Sequence, residues 1–378
     1  MSHTSSDAER AHEARAWGWV AHLRDGGTTP WSAWGSDAGA DEQTSRFLPG
    51  AQQLELLRRL NQVRLPSPEL ADRVLVASAP GRGRPDLGLV GVLPESAFGP
   101  RPVDPADLPV DELVRVATAL IAEDTVAAGD PLEPRTPRLL RRRYRVMGDP
   151  EVADPVRDSL IAGGRPPGGR RATVVVVGTD LAGMLVHVWT ARSLGAGVRP
   201  WPDWLATEVR RPHLLERIDL AGLAETWVPR VGAGRVHVVL DDPRRATRLA
   251  AGRRRVRQPR ELSADAVELA RRTAPVVGTL VAPERRTALM RHRLRPVLAT
   301  HGGPPLRIAA RHRPWLVEHT ADLRRRLAAG DYAVHGALAD PAERAGVTAP
   351  DEDRVLALAI QVLLGPPIGS ARSRGEAT

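Results

Sequence analysis

Three short strings put groups capable of chemistry directly after runs that read as β-strands: Gly148-Asp149-Pro150, Gly178-Thr179-Asp180 and Asp241-Asp242-Pro243. In an open parallel sheet, ligands bind beyond the carboxyl ends of the strands, so a bound anion or a reacting group would lie at these turns. The first turn also precedes a helix, whose free amides attract anions, although Asp149 and Glu151 would repel a phosphate. Arg157, on the helix after Gly148, is the cation best placed to approach that loop. Thr179 or Asp180 serves as the cap of the next helix, which accounts for either residue without a ligand. His187 belongs to the same helix, off its apolar stripe, and reads as a partly exposed structural histidine. Asp241 and Asp242 would suit Mg²⁺ if phosphates were present; turn formation ahead of Pro243 accounts for them more simply.

Other chemistries lack their motifs. The chain has no cysteine and no lysine, which excludes thiolate metal sites, cysteine nucleophiles, Schiff bases and a phosphate-binding lysine. No HExxH, GxSxG, GxGxxG or GxxxxGK[ST] string occurs, and His312 and His319 stand seven apart without an acidic companion, so no metal site is expected. Between 244 and 260 lie Arg244, Arg245, Arg248, Arg253, Arg254, Arg255, Arg257 and Arg260 with no acid among them. Such a tract can bind polyanions through counterion release. It lacks any helix-turn-helix, zinc finger or interleaved aromatics, so it reads as a solvated surface segment without specific nucleic-acid binding.

The elements that must position these groups are legible from periodicity. A first helix is expected over 11–23, and Trp17, Trp19, Trp31 and Trp34 form an arm that fastens onto a core. A second helix runs over 51–60, with Leu54, Leu57 and Leu60 on one face and Glu55, Arg58 and Arg59 away from it. Residues 73–77 suggest a strand, followed by a Gly/Arg loop containing Arg82 and Arg84. A helix covers 111–126, and the prolines at 131, 134 and 137 mark a linker, with a domain boundary near 135. Beyond it come strands at 143–147, 173–177 and 236–240 and helices from 155, 181 and 220. An extended piece is expected at 332–334. The four valines at 174–177 are typical of a central strand buried on both faces. Strand, helix and strand at these spacings predict a parallel sheet, with the strands at 173–177 and 236–240 adjacent and in the same direction. The expected domains are therefore a mainly helical region over 1–135, an α/β domain over 136–365 and a disordered tail over 366–378.

Composition narrows the setting. Across 378 residues, 54 basic groups, all arginine, oppose 45 acidic ones for a net charge of +9. The first thirty residues carry Asp7, Glu9, Glu13 and Asp25 without an apolar export segment. The longest apolar stretch, 355–364, is about half the roughly 20 residues a span requires. A cytoplasmic protein without a membrane segment is the expectation.

Several strings together resemble actinobacterial P-loop sulfotransferases, which use the cofactor PAPS. They are VGTDLAGMLVHVW over 177–189, WPDW over 201–204, RVHVVL over 235–240 and GDYAVHGALAD over 330–340. The similarity covers about 140–342 and implies a parallel-sheet, P-loop sulfotransferase-like core. In that family the phosphate loop reads like YLHIGAPKTGT; the corresponding string here is YRVMGDPEVAD over 144–154. Glu151 stands where the lysine belongs and Asp154 where the hydroxyl belongs. The positions that grip the cofactor's 3′-phosphate fall on Thr179 and His187.

The resemblance thus implies a degenerate, non-catalytic relative that acts as a binding or partner subunit, with no cofactor and with a protein or an anionic small molecule as its partner. A candidate crevice would comprise Gly148, Asp149, Arg157, Thr179, Asp180, His187 and Asp241. A divergent transferase acting on a phosphorylated or sulfated small molecule or glycan, with Arg82, Arg84, Asp149, Asp180 or His187 in that crevice, is the alternative. Non-specific polyanion binding through Arg244, Arg245, Arg253, Arg254, Arg255 and Arg257 is a third.

Overall fold

The computed structural model describes residues 3–35, 48–77, 86–92, 100–130, 143–165, 167–169, 171–195, 197–250, 256, 259–341 and 344–370. In chain order the regular elements begin with α1 (His3–Arg24), α2 (Ala51–Val63), α3 (Pro68–Val76) and α4 (Val110–Ala127). Then follow β1 (Tyr144–Gly148), α5 (Pro150–Ala162), β2 (Thr173–Val177), α6 (Leu181–Ser193), α7 (Trp201–Val209), α8 (Leu220–Val231), β3 (Val236–Val239) and α9 (Pro243–Leu249). The last are α10 (Ala264–Leu280), α11 (Pro283–Leu289), α12 (Arg295–Leu298), α13 (Arg313–Ala329), β4 (Ala333–His335) and α14 (Glu352–Leu363). Two compact units result: Met1–Gly129 with Arg272–Leu298 and Asp351–Thr378, and Asp130–Arg271 with Ala299–Pro350. The linker prolines, Arg82 and Arg84 lie outside the described residues, as do 371–378.

The first unit is helical. α2 packs on α3 and α4, and α14 packs along α4. Trp19 and Trp31 are buried with ring centroids 5.3 Å apart, and the Arg15 guanidinium sits 4.0 Å above the Trp31 ring. Trp19 Nε1 donates to the Thr29 carbonyl at 2.9 Å, which satisfies the one polar atom of that ring.

Two expectations fail in this unit. Residues 73–77 are helical except for Ala77, because Ser67 caps α3 by accepting from the Leu70 amide and Pro68 occupies the first turn; a cap and a preset φ outweigh the strand preference of Val74 and Val76. Glu55 and Arg58 do not face water: they are 1% and 8% exposed. Arg58 donates to both Glu55 oxygens at 2.7 and 2.6 Å, and Arg59 Nε adds a bond at 2.7 Å. Helices packed around α2 cover more of it than its leucine stripe.

In the second unit four parallel strands lie in the order β1-β2-β3-β4. β2 and β3 are adjacent and parallel, as the valine runs predict. Residues 174–177 are buried on both faces. Tyr144, Val146, Val175, Val177 and Val239 form one apolar face, packed against Val152, Val156 and Leu160 of α5 and Ala246 of α9. The alternate residues of β2 and β3 point the other way, and α8 packs on these two strands. Burial pushes the Tyr144 phenol up to about 12, and its hydroxyl donates to the Arg165 carbonyl at 2.6 Å.

α5 begins at Pro150 rather than 155. Asp149 is its cap, Pro150 its first residue, and Pro155 is carried inside it. The helix therefore starts directly at the carboxyl end of β1. That early start decides the chemistry of the first turn.

Candidate functional site

The parallel pairing of β1 and β2 brings the turns at 148–149 and 178–180 side by side. The Asp149 amide donates to the Val177 carbonyl at 2.9 Å. Gly148 has φ +103°, and a Cβ there would come within 2.1 Å of the Val177 carbonyl oxygen. The glycine is thus required by the close approach of two strands and the left-handed turn, independently of any ligand.

Asp149 is fully buried. Its Oδ1 accepts from the Glu151 amide at 3.0 Å and its Oδ2 from Thr179 Oγ1 at 2.8 Å. His187 Nδ1, reaching back from the second turn of α6, lies 2.9 Å from both carboxylate oxygens. Burial opposes the imidazolium, but the hydrogen bond and charge of Asp149, joined by Glu151, outweigh it and the Arg344 charge. The His187 pKa is raised above the ordinary histidine value. A carboxylate at a helix N-terminus, with a hydroxyl and an imidazole as further donors, satisfies the dipole internally.

Asp180 caps α6 by accepting from the Gly183 amide at 2.9 Å, and its other oxygen pairs with Arg344. Arg157 points to Asp154 at 2.9 Å, a carboxylate that Arg217 also holds at 2.8 Å. Asp241 is separate from this group, at the end of β3. The Asp242 amide, joined by the Arg245 guanidinium at 3.1 Å, holds its pKa below the usual carboxylate value. Asp242 caps α9 by accepting from the Arg244 amide at 2.9 Å. The structure therefore gathers Gly148, Asp149, Thr179 and His187 at one point, with Asp180 on the adjoining cap. Arg157 and Asp241 engage neighbours of their own.

In the basic tract, Arg244 and Arg248 are exposed, and Arg245 and Arg248 pair with Asp241 and Asp242 just upstream. Those acids precede the tract by a few residues, and the first turn of α9 brings them back onto it. Arg253, Arg254, Arg255 and Arg257 lie outside the described residues.

Sequence reasoning overlooked Arg344. It lines a cleft of about 400 Å³ together with Arg307 and Arg313, beside α6 and α13. No strand end or motif flags these three residues; only the return of the chain after α9 brings them to α6. Among the described residues no group of three His, Asp or Glu side chains could hold a metal ion, and no helix is long and apolar enough to cross a membrane. No protein-family model, curated protein or solved structure matches the chain, which stands as a generic α/β arrangement of N-terminal helices and a small all-parallel four-stranded sheet.

Proposed function

We propose that the α/β unit is a sulfotransferase-like binding or partner module that does not transfer sulfuryl groups from PAPS. The observation that carries this reading is the Asp149 carboxylate, sealed at the N-terminus of α5 with Glu151, Thr179 and His187 as its donors. In a phosphate loop that position belongs to the ligand's anion, and catalysis works by aiming fixed positive groups and amides at the transferring oxygens. Losing one such donor costs about 3 kcal/mol, roughly a hundredfold in rate. Here the amide end is filled by the chain's own carboxylate, and Glu151 stands where the family has lysine. Arg157, the cation on the helix that follows the loop, is engaged by Asp154.

A divergent transferase is favoured by one feature. Asp149 holds Nδ1 of His187, and a carboxylate on Nδ1 is how a catalytic imidazole is oriented, with its other nitrogen directed at a substrate. Calorimetry with PAPS and with its desulfated product separates the readings. The binding-module reading expects no saturable heat from either nucleotide and no change with Arg157→Ala. Micromolar binding that is lost in Arg157→Ala would restore the enzyme.

A further inference from the structure

The amino ends of the strands, opposite the Asp149 turn, gather arginines from four segments. β1, β2 and β3 are adjacent and parallel, so their starts lie side by side. Arg143 precedes β1, Arg145 is its second residue, Arg171 leads into β2, Arg235 leads into β3, and Arg230 stands in the last turn of α8. Arg145 points away from the Tyr144 face, and its guanidinium sits 4.6 Å from the centroid of the Trp227 ring on α8. Arg230 lies 5.0 Å from the same centroid. Arg235 Nη1 donates to the Arg171 carbonyl at 2.7 Å. Gly169 abuts Arg143, where an added Cβ would come within 2.8 Å of Cγ. Arg145 and Trp227 are half-buried, and the other four arginines are exposed.

The positive excess is written into the residue types. The stretches 134–148, 159–179 and 226–240, which carry all five arginines, contain no Asp and no Glu. Asp158, just before the second stretch, belongs to α5 on the opposite face of the sheet. Glu225, just before the third, is held by Arg326. The carboxyl end of α8 adds about half a negative charge, which Arg230 alone offsets.

We infer that this face binds single-stranded nucleic acid without sequence preference. The guanidinium groups take the phosphates in charge-assisted, bidentate bonds. The Trp227 ring and the guanidinium planes beside it supply the flat surface on which a base stacks. A duplex hides its base faces and leaves Trp227 unused. A membrane surface calls for apolar side chains to insert, and no exposed large hydrophobic residue falls in the described parts of the three stretches. The face lies at the other end of β1 from Asp149, so the inference stands apart from the reading of the β1–α5 loop and survives either outcome of the nucleotide titration.

The test is fluorescence anisotropy of a labelled oligothymidylate of about 16 nucleotides, titrated with the full chain over a series of salt concentrations. A duplex of the same length, inorganic polyphosphate and phosphatidylserine vesicles serve as competitors. The strand binds saturably, its log affinity falls linearly with log salt, and it outcompetes all three at equal phosphate concentration. Replacing Arg143, Arg230 and Arg235 together with alanine weakens the strand at least about tenfold and makes the salt slope shallower by about two. These three side chains are exposed, so the variant keeps the wild-type circular dichroism and melting curve. Trp227→Leu, which keeps apolar bulk without a flat face, weakens binding about tenfold at an unchanged slope; Trp227→Phe stays within about threefold of wild type. No saturable binding at micromolar protein and about 50 mM salt overturns the inference. Wild-type affinity in the triple variant overturns it too and moves the contact to another basic segment, such as 244–260. Wild-type affinity in Trp227→Leu, or equal competition by duplex or polyphosphate, overturns the single-strand assignment, and stronger capture by the vesicles replaces it with a membrane surface.

Discussion

Glu55 in the helical unit and Asp149 in the α/β unit are both sealed from solvent, and the chain neutralises them by different chemistry. Glu55 meets two guanidinium groups, and the Glu55 hydrogen bond, against the cost of burial, holds the Arg58 pKa above its ordinary value. The arginines of that network keep their charge across the neutral range. Asp149 meets a backbone amide, a hydroxyl and an imidazole. The imidazole can lose its proton as pH rises, and the carboxylate keeps its other two donors when it does. A buried acid held by arginine is a fixed strut, whereas one held by histidine sits in an environment that titrates. The fixed strut lies inside a helix bundle; the titrating one lies at the carboxyl ends of parallel strands, where ligands bind in other α/β proteins.

Deleting each carboxylate tests this contrast most severely. Glu55→Ala leaves the buried Arg58 guanidinium without its hydrogen-bonded carboxylate, with only the charge of Asp104 left to favour it, and is expected to cost about 3–5 kcal/mol in urea denaturation. The loss should be the same at pH 6 and pH 8, since arginine titrates at neither. A cost below about 1 kcal/mol would mean that Arg58 escapes to water and that the strut is illusory. Asp149→Ala is expected to cost less, about 2–3 kcal/mol, from a lost cap and a lost charge-assisted bond. His187 relieves the rest by becoming neutral.

The pH dependence sharpens the same contrast. A histidine whose folded pKa is raised contributes stability that is fully present below its unfolded value, 6.5, and lost as pH rises through the folded value. Wild type should therefore lose this contribution upward from pH 6.5, and Asp149→Asn should abolish it. His237 acts with the opposite sign. Burial, joined by the stacked His335 ring, lowers its pKa, so its contribution is present above 6.5 and fades as pH falls through the depressed value. The difference between wild type and Asp149→Asn, with the His187 ring titrated by NMR, isolates the first site. An unchanged His187 midpoint in Asp149→Asn would break the link between the two residues. Thr179→Val should have the smallest effect, about 1 kcal/mol for one hydroxyl bond, with Thr179→Ser close to wild type.

Much of the α/β unit was legible in the amino-acid order. The four valines at 174–177 and the run at 236–239 are short, apolar and flanked by turn residues, and such runs have few options other than adjacent parallel strands. The amino-acid order narrows the cap of α6 to Thr179 or Asp180, because capping depends on the residue's own side chain and the next few amides, and Asp180 is the one that caps; it shows the turn at Asp241-Asp242, but not that Asp242 caps a helix. The start of α5 was misplaced because Pro155 reads as a helix beginning. Here it is held inside a helix whose cap lies six residues earlier. Glu55 and Arg58 were misplaced for another reason: their spacing from the leucine stripe predicts exposure, and only the helices packed around α2 remove it.

The chain by itself determined the α/β composition of the second unit, the positions of its turns and the absence of cysteine and lysine chemistry. These follow from local preferences and from residue types, which need no partner in space. Only the tertiary structure decided what Asp149 does. Its amide bonds across to β2, its carboxylate takes donors from two segments 30 and 38 residues away, and its burial depends on all of them. The arginine face at the amino ends of the strands was settled at the same level. Arg143, Arg145, Arg171, Arg230 and Arg235 are ordinary members of an arginine-rich sequence until the fold brings them to one end of the sheet, because electrostatic effects depend on distance in space.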